Sequence, residues 1–282
     1  MSIEKTMGCL LALILLSASR LSGTGDRDIR FKLIRESVIT VPVLVNGRGP
    51  FDFVFDTGTE SSLIDFDLAR ELNISPIEPV RVSNPGGEKL FVRAFADQVS
   101  LGPARVLQPE LVVGKLDGLH AVSYRIRGVI GQYLLSHFDY VIDYAHSMIE
   151  FVPVARLDAP IRGMKTKIAR RHGCPVLTGY APSGGEVNLV LDSGSSDLVL
   201  YNAKMGGSAR VVDARLSTSS GSIATHTGVI PSLAIGTVSL RGLRAAFSES
   251  LEGADIDGLL PTRLFSAVYF NNSEGYVVLR PR

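Results

Sequence analysis

The tripeptide Asp-Thr/Ser-Gly occurs twice in this chain, each time at the end of an apolar run. The first copy begins at Asp56 after residues 51–55, and the second begins at Asp192 after residues 187–191. A single copy would be weak evidence, because such tripeptides also make ordinary turns. Two copies in matching surroundings predict two carboxylates brought face to face by related half-chains. Carboxylates in contact cannot both ionise easily, so the pair would supply an acid and a base.

The residues that follow each Asp are equivalent in the two copies. They are Thr57, Gly58 and Thr59 in the first copy and Ser193, Gly194 and Ser195 in the second. Each glycine permits a tight turn and close approach by another backbone. The hydroxyl directly after each Asp, on Thr57 or Ser193, could hydrogen-bond to the opposite loop. The hydroxyl three positions after each Asp, on Thr59 or Ser195, could hydrogen-bond to the carboxylate of that Asp. Four apolar residues are predicted to pack beneath the loops: Phe53, Phe55, Leu189 and Leu191.

The two halves of the chain share further anchors in the same order. A Gly-containing turn follows each Asp loop, then Leu-Gly or Ile-Gly, and then the apolar elements that begin at Gly128 and Gly258. The second half loses a few residues between anchors, as loop deletions would produce. Because the repeat is much longer than the roughly 20–50 residues of a solenoid unit, it indicates a duplicated domain.

The apolar residues occur in short runs broken by Gly and Pro, which predicts a mainly β protein. The predicted lobes are residues 31–154 and 173–282. In the first lobe we expect a hairpin of residues 38–45 and 51–55, helices at 65–72 and 133–137, and a final hairpin within 140–152. We expect Asp65 to cap the first helix. Further strands are expected around Val80 and at residues 90–95, 98–101 and 110–113. The second lobe should close with strands at 267–270 and 276–279.

Residues 155–172 form a basic connector between the predicted lobes, with six Lys or Arg residues and one acid, Asp158. The connector could be a basic patch for a partner. The favoured interpretation is a solvated connector or an edge strand, because positive charges keep exposed strand edges from pairing with other chains.

The chain resembles the pepsin-like and retroviral-type aspartic proteases. FDFVFDTGTESSLI and NLVLDSGSSDLVLY match the catalytic loops of that family, and GVIGQYLL and DGLLPTRLF match its paired apolar elements. The resemblance implies a mainly β, bilobal acid-protease fold, with two pseudo-twofold-related closed β lobes, short helices and an active site in the cleft between them. It also implies that Asp56 and Asp192 are catalytic and hold a water that attacks a peptide carbonyl of a peptide or protein substrate. That chemistry uses no metal and no cofactor.

The same family closes a β-hairpin flap over its cleft. The flap candidates here are Asn84, Pro85, Gly86 and Gly87 in the first half, and Ser220 and Gly221 in the second. A flap in each half resembles a retroviral dimer fused into one chain. The sequence departs from the family in two ways: neither flap carries a tyrosine, and Pro261 stands where the first half has Gly131. Proline lacks a backbone N–H, so support of the Asp192 loop could differ.

Other classes of function find little support in the sequence. The formal net charge of +1 indicates no nucleic-acid surface, and neither H-E-x-x-H nor G-x-S-x-G occurs. Of the other acids near the motifs, Asp52, Glu60, Asp65 and Asp197 lack duplicated partners and are expected at the surface or at caps. The sequence therefore favours a monomeric aspartic endopeptidase. The alternative is a catalytically silent peptide-binding protein on the same scaffold.

The N-terminus has the pattern of an export signal. Residues 9–18 form an apolar stretch preceded by Lys5, and small residues favour cleavage before Arg20, which makes residues 1–19 a signal peptide. The expected location is then secreted or periplasmic, and the remaining cysteine, Cys174, has no disulfide partner. The stretch is short of the ~20 residues of a membrane span, and no other segment could cross a bilayer. A membrane-associated or disordered tail is the alternative.

Overall fold

Strands dominate the computed structural model, which describes residues 28–84, 87–153, 160–181, 185–201, 212–218, 221–248 and 255–282. The predicted signal peptide (1–19), part of the basic connector, and the flap candidates Pro85, Gly86 and Ser220 lie outside these residues. The mainly β prediction is confirmed, and the helices are short.

The described elements alternate short strands with three helices and one 3-10 turn. The first half contains β1 Asp28–Arg30, β2 Lys32–Ile34, β3 Val38–Val45, β4 Arg48–Phe55, β5 Leu63–Asp65, α1 Phe66–Glu71, β6 Glu78–Asn84, β7 Gly87–Phe95, β8 Gln98–Leu101, β9 Ala104–Leu107, β10 Glu110–Gly114, α2 Asp117–His120, β11 Ile126–Ile130, α3 Gln132–Leu135, β12 Asp139–Asp143 and β13 Met148–Val152. The second half contains β14 Met164–Lys167, β15 Ala169–Arg171, β16 Cys174–Tyr180, β17 Glu186–Asp192, β18 Leu198–Tyr201, β19 Val212–Thr218, β20 Gly221–Ile235, β21 Val238–Ser248, β22 Gly258–Pro261, the 3-10 turn Thr262–Leu264, β23 Phe265–Asn271 and β24 Tyr276–Pro281.

Each half forms its own sheet, with one strand inserted between two others. In the first sheet the order β10-β5-β11-β4-β3 places β11 between β5 and β4, parallel to β4 and antiparallel to β5. In the second sheet β22 lies in the same way between β17 and β18. These inserted strands contain the two apolar elements that begin at Gly128 and Gly258.

Glycine is required where the inserted strands cross their neighbours. A Cβ on Gly128 would overlap the Phe53 ring and lie 2.5 Å from the carbonyl oxygen of Leu63. A Cβ on Gly258 would overlap the carbonyl oxygen of Val199. The missing side chains therefore let the inserted strands lie directly against their neighbouring strands.

A third sheet joins the two halves. Its order is β1-β13-β12-β23-β24-β14, so three strands of the first half lie beside three strands of the second half in one layer. At its centre, β12 pairs antiparallel with β23, and Tyr140 is opposite Phe270. Their rings stack at 4.9 Å between centroids, and both are fully buried. The halves are therefore fixed to each other by backbone pairing as well as by side-chain packing.

Most of the expected elements are present with small shifts in their bounds. Helix α1 begins after Asp65, whose carboxylate accepts from the backbone N–H groups of Asp67 and Leu68, as expected of a cap. The helix predicted at residues 133–137 corresponds to α3, which starts one residue earlier than predicted, at Gln132. The sequence interpretation missed the short strands β5 and β9, which form only because neighbouring strands supply their hydrogen bonds.

The described part of the basic connector contains two edge strands. Strand β14 is the last strand of the third sheet, and β15 lies at the edge of the second-half sheet. Lys165, on β14, lies over the ring of Tyr276 at 3.6 Å from its centroid. This placement matches the edge-strand interpretation of the connector.

We expect Phe270→Ala to lower the free energy of unfolding by about 3–5 kcal/mol, because it empties a fully buried site at the centre of the shared sheet. Urea denaturation measures the change. Tyr124→Ala is the matched control, since Tyr124 is 79% exposed and its loss should cost less than about 0.5 kcal/mol. Equal effects of the two changes would contradict this role for the shared sheet.

Candidate active site

The two Asp residues stand at the ends of matching strands. Asp56 follows β4, and its backbone N–H donates to the carbonyl oxygen of Ile130 on the inserted strand β11 at 3.0 Å. Asp192 is the last residue of β17, where it pairs with Pro261 on the inserted strand β22. Phe53, Phe55 and their counterparts Leu189 and Leu191 are fully buried beneath the loops, as the sequence predicted.

Reciprocal hydrogen bonds of buried hydroxyls tie the two Asp loops together. The Thr57 hydroxyl donates to the Leu191 carbonyl at 2.7 Å and accepts from the Ser193 N–H at 2.9 Å. The Ser193 hydroxyl donates to the Phe55 carbonyl at 2.7 Å and accepts from the Thr57 N–H at 3.0 Å. The expectation that these hydroxyls reach the opposite loop is confirmed. We call these four bonds the loop-to-loop clasp.

The glycines of the two motifs lie against the opposite carboxylates. A Cβ on Gly58 would come within 2.6 Å of both carboxylate oxygens of Asp192. A Cβ on Gly194 would come within 2.8 Å of both oxygens of Asp56. Any side chain at either position would push the facing carboxylate away. The motif therefore requires glycine for the spacing between the two acids.

Backbone N–H groups orient both carboxylates. Asp56 accepts from the Gly58 N–H at 2.8 Å, and Asp192 accepts from the N–H groups of Gly194 at 2.7 Å and Ser195 at 3.1 Å. The two carboxyl groups also lie within hydrogen-bonding distance of each other. The pair thus has the face-to-face arrangement that the duplicated motif predicted.

The expected role of Thr59 and Ser195, whose hydroxyls lie three positions after each Asp, is wrong. The Ser195 hydroxyl donates to the carbonyl oxygen of Asp197 at 2.7 Å instead of to Asp192. In the part of the chain that the structure describes, the Thr59 hydroxyl makes no hydrogen bond to Asp56. Backbone N–H groups already occupy the near oxygen of each carboxylate, and the tight turn directs these side chains elsewhere.

Burial raises the pKa of both acids, and that of Asp192 more strongly. Loss of hydration is the main cause of the raised Asp192 pKa, followed by the negative charge of Asp56. The pKa of Asp56 is raised by burial, while the Gly58 N–H and the hydrogen bond with Asp192 partly lower it. Asp192 is only 6% exposed. The pair therefore holds one proton to a higher pH than two separate exposed carboxyl groups would.

The loop of Asp56 receives additional support from the segment after β11. The Gly131 N–H donates to the Ser62 hydroxyl at 3.0 Å, and the N–H groups of Gln132 and Tyr133 donate to carbonyl oxygens of Thr59 and Glu60, both at 2.9 Å. The sequence interpretation did not include Gln132 among the site residues. Its position directly after the apolar element was the available signal.

The loop of Asp192 is supported differently, as Pro261 suggested. Pro261 has no N–H to donate, and the next residue, Thr262, contacts Tyr144 of the first half through their hydroxyls at 2.5 Å. Tyr144 is thus a second supporting residue that sequence reasoning missed. No local pattern could have found it, because the two residues are far apart in the chain.

Antiparallel hairpins flank both flap candidates. In the first half β6 pairs with β7, and Asn84 is opposite Gly87. In the second half β19 pairs with β20, and Thr218 is opposite Gly221. The second hairpin lies against helix α2 of the first half. Since Leu116 and Leu119 pack in the same cluster as Phe91 of β7, this helix region adjoins both hairpins.

The remaining candidate groups, Asp197 and Cys174, are in environments typical of residues that stabilise a fold. Asp197 pairs with Arg244 at 3.4 Å, and Cys174 is a buried free thiol whose pKa is raised by burial. Within the described ranges, no cluster of three or more His, Cys, Asp or Glu side chains could hold a metal ion. No helix among those same residues is both long enough and apolar enough to cross a bilayer.

Comparisons with known proteins agree with this site. The family model described as aspartyl protease matches residues 41–134 and 181–262, more than half of the chain. The chain therefore belongs to the aspartyl protease family, and it has the bilobal aspartic protease fold.

Two solved structures are similar to this chain. The aspartic proteinase from Irpex lacteus is 12% identical over 90% of this chain and 96% of that chain, with a TM-score of 0.55. A retropepsin-like aspartic protease from Rickettsia conorii is 19% identical over 44% of this chain and 87% of that chain, with a TM-score of 0.33. A comparison with curated proteins found no significant match.

We expect Thr57→Val to lower the free energy of unfolding by about 2 kcal/mol or more, because it keeps the side-chain shape but leaves buried groups of Leu191 and Ser193 unpaired. Urea denaturation measures the loss. Thr59→Val is the matched control, with an expected change below about 0.5 kcal/mol. A similar loss in both variants would argue against the loop-to-loop clasp as the source of stability.

The raised pKa of Asp192 predicts a pH-dependent stability difference. Below about pH 4 the residue is protonated in both the folded and unfolded chains, so its burial costs nothing extra. As the pH rises, the unfolded chain releases the proton first, and the folded wild type loses stability. Asp192→Asn has no proton to lose, so its stability relative to wild type should increase between pH 3 and pH 7.

Urea denaturation across that range tests the trend, and Asp67→Asn, at an exposed carboxylate, is the control. A constant difference between Asp192→Asn and wild type would show that the pKa of Asp192 is not raised by folding.

Proposed function

We propose that the protein is an aspartic endopeptidase that hydrolyses peptide bonds with a water activated between Asp56 and Asp192. The single observation that carries the proposal is the buried contact between the two carboxyl groups, each set against the glycine of the opposite loop. An acid and a base that touch can move protons to and from one reacting carbonyl.

In the proposed reaction the pair starts with one proton, held by Asp192. Asp56 takes a proton from water as the oxygen attacks the peptide carbonyl carbon. Asp192 donates its proton to the carbonyl oxygen, which gives a neutral tetrahedral diol. When the diol collapses, its C–N bond breaks, the amine nitrogen receives the proton held by Asp56, and a hydroxyl proton returns to Asp192. The step needs no metal, cofactor or covalent intermediate.

The substrate class follows from the family and from the hairpins. Aspartyl proteases act on peptides, and the two hairpins with helix α2 could enclose an extended peptide strand. We further propose that residues 1–19 are a cleaved signal, that the protein is secreted or periplasmic, and that it acts as a monomer because one chain supplies both Asp loops. We propose no nucleic-acid partner.

A silent peptide-binding protein is the second candidate, and Pro261 favours it. The N–H bonds of Gly131, Gln132 and Tyr133 to the Asp56 loop have no equivalent at the Asp192 loop among the described residues. Neither flap sequence contains a tyrosine. A less firmly held Asp192 loop could bind peptides without cleaving them. Both Asp-Thr/Ser-Gly motifs are intact, however, and this favours catalysis.

We expect Asp56→Asn and Asp192→Asn each to reduce peptide cleavage by at least about a thousandfold, because neither an acid nor a base can be replaced by a neutral amide. A peptide library digested at several pH values and read by mass spectrometry would measure activity, preference and optimum together. Asp52→Asn is the control for a neighbouring acid outside the pair and should keep wild-type activity.

A statine-containing peptide, which mimics the tetrahedral intermediate, should inhibit the wild type. Retained cleavage in either Asn variant would reject the assignment of the pair. Wild-type protein that binds peptides but cleaves none between pH 3 and pH 7 would establish the silent binding protein instead.

A further inference from the structure

Gln132 makes a side-chain hydrogen bond to the Asp56 loop. Its Nε2 donates to the carbonyl oxygen of Thr57 at 2.8 Å, and the residue is only 2% exposed. Thr57 is also the residue whose hydroxyl and N–H take part in the loop-to-loop clasp. The amide of Gln132 therefore fixes the peptide unit between Thr57 and Gly58, and the N–H of that unit, on Gly58, is the donor to Asp56.

The equivalent position in the second half lacks this bond. Thr262 follows Pro261 as Gln132 follows Gly131, but its hydroxyl bonds to that of Tyr144. Among the described residues, Thr262 makes no side-chain hydrogen bond to the Asp192 loop, so the support that Gln132 gives the first loop has no counterpart there. A residue that only filled space would be expected to have similar contacts in both halves.

Gln132 lies in a buried polar cluster with Tyr140. The Tyr140 hydroxyl lies beside the side chains of Gln132 and Asn272. Within the described residues, neither Gln132 Oε1 nor the Tyr140 hydroxyl has a well-formed hydrogen bond. The bond from Gln132 Nε2 to the Thr57 carbonyl is therefore the contact that fixes the amide.

The second half also holds the helix that carries Gln132. Asn272 Nδ2 donates to the carbonyl oxygens of Leu135 at 3.0 Å and Phe138 at 2.6 Å, at the end of α3. These bonds fix α3 from the opposite lobe. The support of the Asp56 loop consequently depends on contacts between the two halves of the chain.

We propose that Gln132 is a positioning residue for the Asp pair, and that it acts through the Thr57 carbonyl to hold the Asp56 loop in register with Asp192. The proposal rests on the proposed protease function, since its consequence is the alignment of the acid and the base. Without the amide, the peptide unit after Thr57 can rotate, and the contact between the carboxyl groups loosens.

Gln132→Met tests this by removing the donor while keeping the side-chain length. We expect kcat to fall roughly tenfold, the worth of one buried hydrogen bond, with KM within about twofold of wild type. Gln98→Met, a change of the same type on strand β8, is the matched control and should leave both constants unchanged. Hydrolysis of the best library peptide provides the assay.

Gln132→Glu gives a second readout that a purely structural role would not produce. A neutral glutamic acid still has one O–H to donate to the Thr57 carbonyl, whereas the ionised form has none and repels it. At acid pH the activity of Gln132→Glu should therefore stay close to that of wild type. As the pH rises and the glutamate ionises, the activity of the variant should fall at a lower pH than that of wild type. This profile alone decides the question if Gln132→Met does not fold.

A third measurement does not depend on activity. Carboxyl ¹³C NMR, assigned with the Asp56→Asn and Asp192→Asn variants, follows the titration of the pair. In Gln132→Met we expect the higher pKa of the pair to move towards that of an ordinary carboxyl group, because the carboxyls separate. A wild type that cleaves nothing would reject the protease function, yet this titration would still test the positioning role.

Unchanged titration in Gln132→Met would overturn the proposal. So would kinetics of Gln132→Met that match Gln98→Met, or a Gln132→Glu profile that matches wild type.

Discussion

The structure depends on four buried hydrogen bonds between the two Asp loops. Thr57 and Ser193 are both almost completely excluded from solvent, and each hydroxyl both donates to and accepts from the opposite loop. Breaking any one bond leaves a polar group unpaired in an apolar interior, which is costly. The clasp therefore sets the distance between the halves at the point where the carboxyls meet. The shared six-stranded sheet holds the same two halves together through backbone pairing.

A duplicated framework does not give the two acids equal environments. Asp192 is more deeply buried and accepts two backbone N–H groups, whereas Asp56 accepts one. Burial and the facing charge outweigh both hydrogen bonds, so the pKa of Asp192 is raised well above its usual range. Electrostatic asymmetry of this kind is what allows two identical side chains to take opposite parts in proton transfer.

The supports of the loops differ in the same manner. The Asp56 loop is held by the segment after Gly131, including the Gln132 side chain, while Pro261 removes a donor at the matching position of the second half. Tyr144 and Asn272 each reach from one half to the other near these segments. The two halves are therefore mutual scaffolds, and neither loop owes its position to its own lobe alone.

Much of the site could be predicted from the sequence because the motif is local and occurs twice. The two Asp positions, the glycines, the clasping hydroxyls and the inserted apolar strands all follow from short patterns whose chemistry is fixed by residue type. The directions of the Thr59 and Ser195 hydroxyls could not be predicted, since backbone N–H groups competed for the same carboxylate oxygens. The short strand β5 was missed because its hydrogen bonds come from the distant strands β10 and β11.

The sequence by itself thus determined the chemical groups, their pairing and the mainly β duplicated fold. Only the tertiary structure decided how deeply each Asp is buried, and that Tyr144 and Asn272 support the site. Burial and contacts between residues more than a hundred positions apart depend on how the halves pack, and no local pattern encodes them.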